Sequence, residues 1–294
     1  MLKRSFMILV LMAFFAVFAN GQVHKVDSLN KPMLKKLAVS EALIYGGAMF
    51  ALGQIWYKDS FDKNFKFFND NKQWNGLDKV GHIYTAYQLT AFNAKLIQNT
   101  GVRQKKAYLF SALASSTMML GIEVFDGFSS DYGASGGDLI ANTAGAFLAF
   151  QETIWDAVYI HPKYSFFPTK YAAIRPSVLG NGINEEWLKD YNGQTYWIST
   201  NFNVLSRNND FPGWLAFSIG YGADGMVYGN NAENNTNGYQ AIRQVYLSLD
   251  LDFTKFHTNK KWLKNVFYAL NMIKVPLPTI GITQKGVSFY PIYF

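Results

Sequence analysis

Four long apolar stretches with helical spacing lie between Leu34 and Ile160, and none follows Pro168. That change of pattern constrains the fold more than any other feature. The first stretch, Leu34–Trp56, carries Ser40, Glu41 and Gln54 inside it. The second covers Asp78–Gln98. The third, Gln104–Phe125, follows Gly101, and the fourth, Gly137–Ile160, is stopped by Pro162. All four read as helices. After Pro168, residues of the Pro, Gly and Asn types punctuate the chain, and the apolar runs Tyr196–Leu205, Trp214–Tyr221, Gln244–Phe253 and Val287–Phe294 read as strands. In Gln244–Phe253, Val245, Leu247, Leu249, Leu251 and Phe253 share one face, and Tyr246, Ser248, Asp250 and Asp252 share the other. Lys261–Ile273 reads as a short helix with Trp262, Val266, Ala269 and Ile273 on one stripe. The expected fold is mainly α with a β-rich C-terminal part. A four-helix, membrane-associated bundle over residues 22–162 precedes a small antiparallel sheet within residues 163–294.

The N-terminus reads as a signal peptide over residues 1–21. Lys3 and Arg4 precede the 14-residue apolar run Phe6–Ala19, and Ala19 and Gly21 supply small residues for cleavage. The run is shorter than the ~20 residues a membrane span needs. Losing Lys3 and Arg4 lowers the formal charge from +7 to +5. No compact Lys/Arg block exists, which argues against nucleic acid as a partner. The positive balance suits anionic lipid or glycan instead. Charged residues are only 16% of the chain, hydrophobic residues 49% and aromatics 17%, which excludes a disordered chain. Cysteine is absent, which removes disulfides, thiolate metal sites, cysteine nucleophiles and a lipidated N-terminal cysteine.

Helices one, three and four are each about long enough to cross a bilayer. Glu41, Gln54, Asn93, Lys95, Glu123, Asp138, Asn142, Gln151, Glu152 and Asp156 interrupt them or sit at their edges. With the signal cleaved, the loop holding Lys95, Arg103, Lys105 and Lys106 would be external, against the positive-inside expectation. A spanning bundle, a bundle lying on a membrane surface and one tucked against an outer-membrane element all stay open. The linker Lys58–Gly76 mixes Phe61, Phe65, Phe67, Phe68 and Trp74 with charges, which fits a membrane interface or a loop packed on the bundle. The end, Tyr290–Phe294, resembles the closing strand of bacterial outer-membrane barrels. Pro291 and a count of about four strands go against an integral barrel, which starts at about 8. A small sheet packed on the helices accounts for the same pattern.

Polar residues gather at the helix ends. Asp78 opens helix two as a cap, and His82 stands one turn on. Glu123 and Asp126 end helix three, and Asp138 opens helix four with Asn142 one turn on. Antiparallel helices would bring Asp78, His82, Glu123, Asp126, Asp138 and Asn142 to one end of the bundle. Three readings follow. The six residues satisfy one another structurally. Alternatively, His82 with Glu123, Asp126 or Asp138 holds a divalent metal. In the third, His82 and Glu123 exchange a proton as the candidate catalytic pair, with amides near Ser135–Gly137 receiving an anion. His24, His161 and His257 read as surface residues.

The pattern Asp78-Lys79-x-x-His82, Glu123-x-x-Asp126 and Ser135-x-x-Asp138-x-x-x-Asn142-x-x-Gly145 resembles the YfiM-type family of periplasmic lipoproteins of unknown function. It is similar, more distantly, to VanZ-like membrane proteins, which carry a DKxxH helix, an acidic helix end and a DxxxNxxG helix. The resemblance covers about residues 54–160, and the tail, including Trp214–Met226 and Lys274–Thr279, looks like the extended Bacteroidetes-type members. The lipobox cysteine of the lipoprotein members has no counterpart here. The resemblance therefore implies attachment through the helices, the aromatic linker or a partner rather than a lipid anchor. It implies no transferable reaction; VanZ-like proteins are associated with envelope glycopeptide resistance.

The expected protein is thus an exported, periplasm-facing, membrane-associated envelope protein of a Gram-negative-type bacterium. Its expected partners are membrane lipid or envelope components, including an outer-membrane protein. The polar cluster reads as structural or ligand-binding, and the expectation leans away from an enzyme. The alternative is a membrane-embedded, metal-dependent enzyme acting on an envelope lipid or glycan.

Overall fold

The computed structural model describes residues 28–53, 57, 60–130, 132–155, 157–206 and 210–294. The signal-peptide reading, His24, Gln54 and Asp156 lie outside the described residues. The chain divides into two compact units. One takes the chain up to Asp70 together with Thr85–Ala157; the other takes Asn71–Tyr84 and Val158–Phe294.

The first unit is helical. Helix α1 (Lys31–Leu52) starts at Asn30, whose side chain accepts the Met33 N–H at 3.0 Å. Helix α2 (Leu77–Gln98) contributes its residues from Thr85 onward. Helix α3 spans Gln104–Gly127 and helix α4 Gly136–Leu148. The expected fourth helix does not run to Ile160: α4 ends after 13 residues, and a short helix, Gln151–Trp155, follows. At the break the Phe150 N–H turns to the Phe147 carbonyl at 2.9 Å, and the Thr153 hydroxyl takes the Phe150 carbonyl at 2.8 Å. Such local bonds compete with the helical ladder. At 13 residues α4 is too short to cross a bilayer. Among the described residues, α3 is the helix long and apolar enough by length and composition.

Small residues bring these helices together. Tyr87, Ala91 and Ala94 of α2 cluster with Tyr108 of α3 and Ala149. The Thr90 and Ser115 hydroxyls hydrogen-bond at 2.6 Å between α2 and α3. Along α3 the buried stripe is Ser111, Ser115, Met119, Glu123 and Gly127, whereas Leu109, Phe110, Leu113, Leu120 and Val124 are exposed. The linker packs on the loop after α3. Phe61 bridges Ser129, Phe67 bridges Ala134, and the Phe65 ring meets Phe128 edge-on at 5.1 Å. Phe67 itself stays 79% exposed.

The second unit is built on six antiparallel strands in sequential order: β1 (His161–Phe166), β2 (Gln194–Asn201), β3 (Leu215–Asp224), β4 (Ile242–Leu251), β5 (Leu277–Thr283) and β6 (Gly286–Tyr293). Helix α5 (Lys261–Leu270) lies between β4 and β5. Strands β1 and β5 are additions to the expected set; each carries an internal proline, Pro162 and Pro278, as the expected β6 does at Pro291. The strand expected over Tyr196–Leu205 stops at Asn201. There the Asn201 side chain accepts the Asn203 N–H at 2.8 Å and starts a helical turn, Phe202–Ser206.

Alternation along the strands is as the sequence implies, but the polar side is the buried one. Ser218, Ser248, Asp250, Thr279 and Lys163 are buried, while Ile219, Leu249, Ile280 and Phe289 are exposed. The sheet curls about that polar side. Thr195 of β2 and Tyr293 of β6 share a 3.0 Å hydrogen bond, and the Trp197 and Tyr293 rings meet edge-on at 5.8 Å. Only glycine fits beneath Trp197, since a Cβ on Gly220 would fall 2.6 Å from its ring. Residues 71–84 cap one end of the outer side. Trp74 and Asn75 take the left-handed conformation, φ 49° and 52°, and Leu77 packs with Ala223 and Met226. The Tyr221 hydroxyl donates to the Asn75 carbonyl at 2.6 Å, which helps hold that turn.

Candidate functional site

The six expected site residues fall into two groups, one in each unit. Glu123, Asp126, Asp138 and Asn142 belong to the helical unit; Asp78 and His82 belong to the sheet unit.

In the helical unit, Glu123, Asp138 and Asn142 are buried. Glu123 lies one turn before the end of the buried stripe of α3, and its carboxylate meets the loop that precedes α4. There Glu123 Oε2 accepts the Ser135 N–H at 3.0 Å. Ser135 is the cap of α4: its Oγ accepts the Asp138 N–H at 3.3 Å and donates to Asp70 Oδ1 at 2.6 Å. The Ser135 amide, offered to an anion in the acid–base reading, is thus already held by Glu123. Asp126 accepts the Tyr57 hydroxyl at 2.7 Å, and the Tyr57 ring stacks on Phe125 at 5.3 Å. Burial, and then the neighbouring Asp126 charge, push the Tyr57 phenol far above its ordinary range. Asp70 and Tyr57 are additions to the expected set. Their partners, Ser135 and Asp126, lie more than 60 residues away in sequence, so spacing does not reveal them.

In the sheet unit, Asp78 stands in the first turn of α2. Its Oδ1 accepts the Tyr191 hydroxyl at 2.8 Å and lies 3.7 Å from His82 Nε2, while its Oδ2 accepts from Lys79 Nζ at 2.9 Å. Burial pushes the Asp78 carboxyl up, but the His82 and Lys79 charges and the Lys79 and Tyr191 hydrogen bonds outweigh it and hold it below its ordinary value. A carboxylate with a histidine one turn away is a pair of metal-ligating type, and equally a sound helix-start ion pair. Gly81 lets Tyr196 approach this turn: a Cβ there would fall 2.7 Å from the Tyr196 hydroxyl oxygen.

Two further charged groups lie inside the curl of the sheet. Lys163 Nζ is 2.9 Å from Asp250 Oδ2 and Lys274 Nζ is 3.9 Å from Asp250 Oδ1. Ser218 donates to the same carboxylate at 2.9 Å, and the Lys274 ammonium sits 5.1 Å from the centre of the Trp197 ring. Nearby, His161 Nε2 lies 3.4 Å from Asp252 Oδ2, and His161 Nδ1 lies 3.1 Å from the Asn271 amide nitrogen. His161 is therefore a buried residue and not the surface residue its sequence context suggested. His257 is exposed as expected. The alternation of β4 was the available signal, because it places Asp250 and Asp252 with Tyr246 and Ser248 on one side.

These features define a helical protein with a polar interior, followed by an antiparallel sheet that also keeps its charges inside. Residues 62–152 match the model of the family DUF2279, described as a predicted periplasmic lipoprotein. All six residues of the two groups fall within that region, and strands β1–β6 fall outside it. No curated protein and no solved structure matches the chain.

Proposed function

We propose that this chain is an exported envelope protein whose helical unit lies against a membrane, and whose buried polar residues hold that unit together. The observation that carries the reading is the inverted face of α3. Leu109, Phe110, Leu113, Leu120 and Val124 face outward while Ser111, Ser115 and Glu123 face inward. An amphipathic helix of a soluble core has the opposite arrangement. Outward Leu43 and Phe50 on α1 and Ile140 and Phe147 on α4 extend the apolar surface. The periplasmic description of the matched family supports export. The finer likeness to YfiM-type and VanZ-like proteins rests on the Asp78-to-His82, Glu123-to-Asp126 and Asp138-to-Asn142 spacings. The structural role of the cluster is supported by the chain of bonds from Glu123 through Ser135 to Asp70.

Cell fractionation tests the reading. The full chain is expected in the membrane fraction, released by detergent and retained through a high-salt wash. Recovery in the soluble periplasmic fraction would overturn it. Elemental analysis of the purified protein tests the role of the cluster. Stoichiometric divalent metal that is lost in both His82→Ala and Glu123→Gln would replace the structural reading with the metal-dependent one.

A further inference from the structure

On its exposed side the sheet is apolar from Ile198 of β2 to Phe289 of β6, while Pro162 of β1 is buried. Pro162, Ile198, Ile219, Leu247, Ile280 and Phe289 form one register row across all six strands. On β3 and β4, no Asp, Glu, Lys, Arg or His stands on that side from the Leu215–Leu251 pair to the Tyr221–Val245 pair; Arg243 comes beyond it. The charged residues Lys163, Asp250 and Lys274 are on the other side, where they are sealed in. An antiparallel sheet with one side in water shows the reverse, with polar residues outward. Contiguous apolar surface of this kind marks a place where something other than water covers the protein.

Helix α5 indicates what covers it. Trp262, Val266 and Leu270 form an exposed apolar stripe on this short helix, with exposed Lys255, Lys260 and Lys264 around it. Apolar and aromatic residues on one side with lysines beside them suit the boundary between acyl chains and headgroups. The helix leads directly to the sheet. The Tyr164 N–H donates to the Met272 carbonyl at 3.0 Å, and the Lys274 N–H donates to the Tyr164 carbonyl at 2.9 Å. That pairing places exposed Ile273 beside β1, on the side of Tyr164 and away from buried Lys274. A protein partner would call for a polar rim and paired hydrogen-bonding groups around the apolar patch. Lysines flanking a tryptophan stripe match anionic lipid instead.

We propose that the outer side of the six-stranded sheet, with the Trp262 stripe of α5, lies against the hydrocarbon of a membrane, and that Lys255, Lys260 and Lys264 meet anionic headgroups. The apolar band on β3 runs from Leu215 to Tyr221, roughly 20 Å along the strand. That is shorter than the ~25 Å band of barrels that cross a membrane, so the contact is with one leaflet. This extends the membrane reading from the helical unit to the sheet unit and stands on separate residues.

The chain has no cysteine, so single-cysteine variants carry one label each. Full-length Ile219→Cys, Leu249→Cys and Ile280→Cys, labelled with a fluorophore, would be reconstituted into phosphatidylethanolamine–phosphatidylglycerol vesicles. Asn235→Cys serves as the exposed control. The three sheet labels are expected to lose most of their emission to a quencher on the lipid acyl chain and to resist aqueous iodide, with the reverse at Asn235. Iodide quenching at the sheet positions overturns the proposal. So does protection from both quenchers, which would mean that a protein surface, such as a second copy, covers the sheet. Labels at Leu113→Cys and Ile140→Cys report on the helical unit. Iodide quenching there with lipid quenching at the sheet sinks the earlier reading and leaves this one standing; the opposite result does the converse.

Discussion

Asp250 Oδ2 lies 2.9 Å from Lys163 Nζ, with both side chains fully buried inside the curl of the sheet. Lys274 approaches the same carboxylate at 3.9 Å, so one negative group faces two ammonium groups. Replacing Asp250 by Asn would strand both cations in a dry interior. The expected loss of stability is about 3–5 kcal/mol, the range for breaking a buried ion pair from one side. Denaturant titration of the variant checks it. A loss no larger than that of an exposed-site control such as Asn235→Ala would contradict the role given to Asp250.

Lys274 carries a pH signature of its own. Burial lowers its ammonium pKa from 10.5, the Asp250 charge raises it and the Lys163 charge lowers it, leaving it at about 8. The folded state therefore binds fewer protons than the unfolded state between pH 8 and 10.5. Stability contributed through this group rises over that window, by roughly 3 kcal/mol. Lys274→Met removes the titration, so its stability should match or exceed that of the native chain at pH 7, and the advantage should vanish by pH 10.5. Equal pH slopes for the two proteins over this window would refute the assignment.

Asp252 acts at the acid end. Burial raises its carboxyl pKa, but the His161 hydrogen bond and charge and the Thr254 hydrogen bonds outweigh it and bring it from 3.8 to about 2. A depressed carboxyl stabilises the fold above its unfolded pKa and loses that contribution as pH falls through the folded one. The native chain should lose on the order of 2 kcal/mol between pH 4 and pH 2. Asp252→Asn should show a shallower slope there, which acid titration followed by circular dichroism would measure.

Gly127 ends the buried stripe of α3 beneath the Phe65 ring. A Cβ there would fall on the Phe65 ring, so the ring must move to admit it. Gly127→Ala is expected to cost about 1–3 kcal/mol by overpacking. In the Phe65→Ala background the same change should cost far less. Additive losses in the double-mutant cycle would show that the contact is not what makes glycine necessary.

Glu123 anchors the start of α4 through the Ser135 N–H. Glu123→Gln keeps a carbonyl oxygen able to accept that bond, whereas Glu123→Ala leaves the amide without it. The alanine variant should lose about 1–3 kcal/mol more than the glutamine variant. Hydrogen exchange at Ser135 would report the same ordering, faster in alanine than in glutamine.

Much of the helical unit was legible in the sequence. The 3.6-residue period and the Asp78 and Asp138 start signals located α2, α3 and the beginning of α4 to within a few residues, although the cap of α4 is Ser135. The end of α4 was not legible, because the apolar run continues to Ile160 and the break rests on local side-chain bonds. The apolar runs of β2, β3, β4 and β6 were readable, and β1 and β5, the two shortest strands, were not. Of the site, the acidic helix ends could be named in advance. Tyr57, Asp70 and Tyr191 could not, because each reaches its partner across a long stretch of intervening chain.

By itself the sequence determined which residues share a face. Periodicity is a local property, set by side-chain direction along one element. It therefore placed Val245 with Leu249, and Ser248 with Asp250, whatever the rest of the chain does. Only the tertiary structure decided which of those faces is enclosed. The curl of the sheet brings Lys163 and Lys274, far apart in sequence, to the one carboxylate of Asp250. Paired and hydrogen-bonded, these groups are buried at a smaller penalty than lone charges would meet. The apolar side is then left outward.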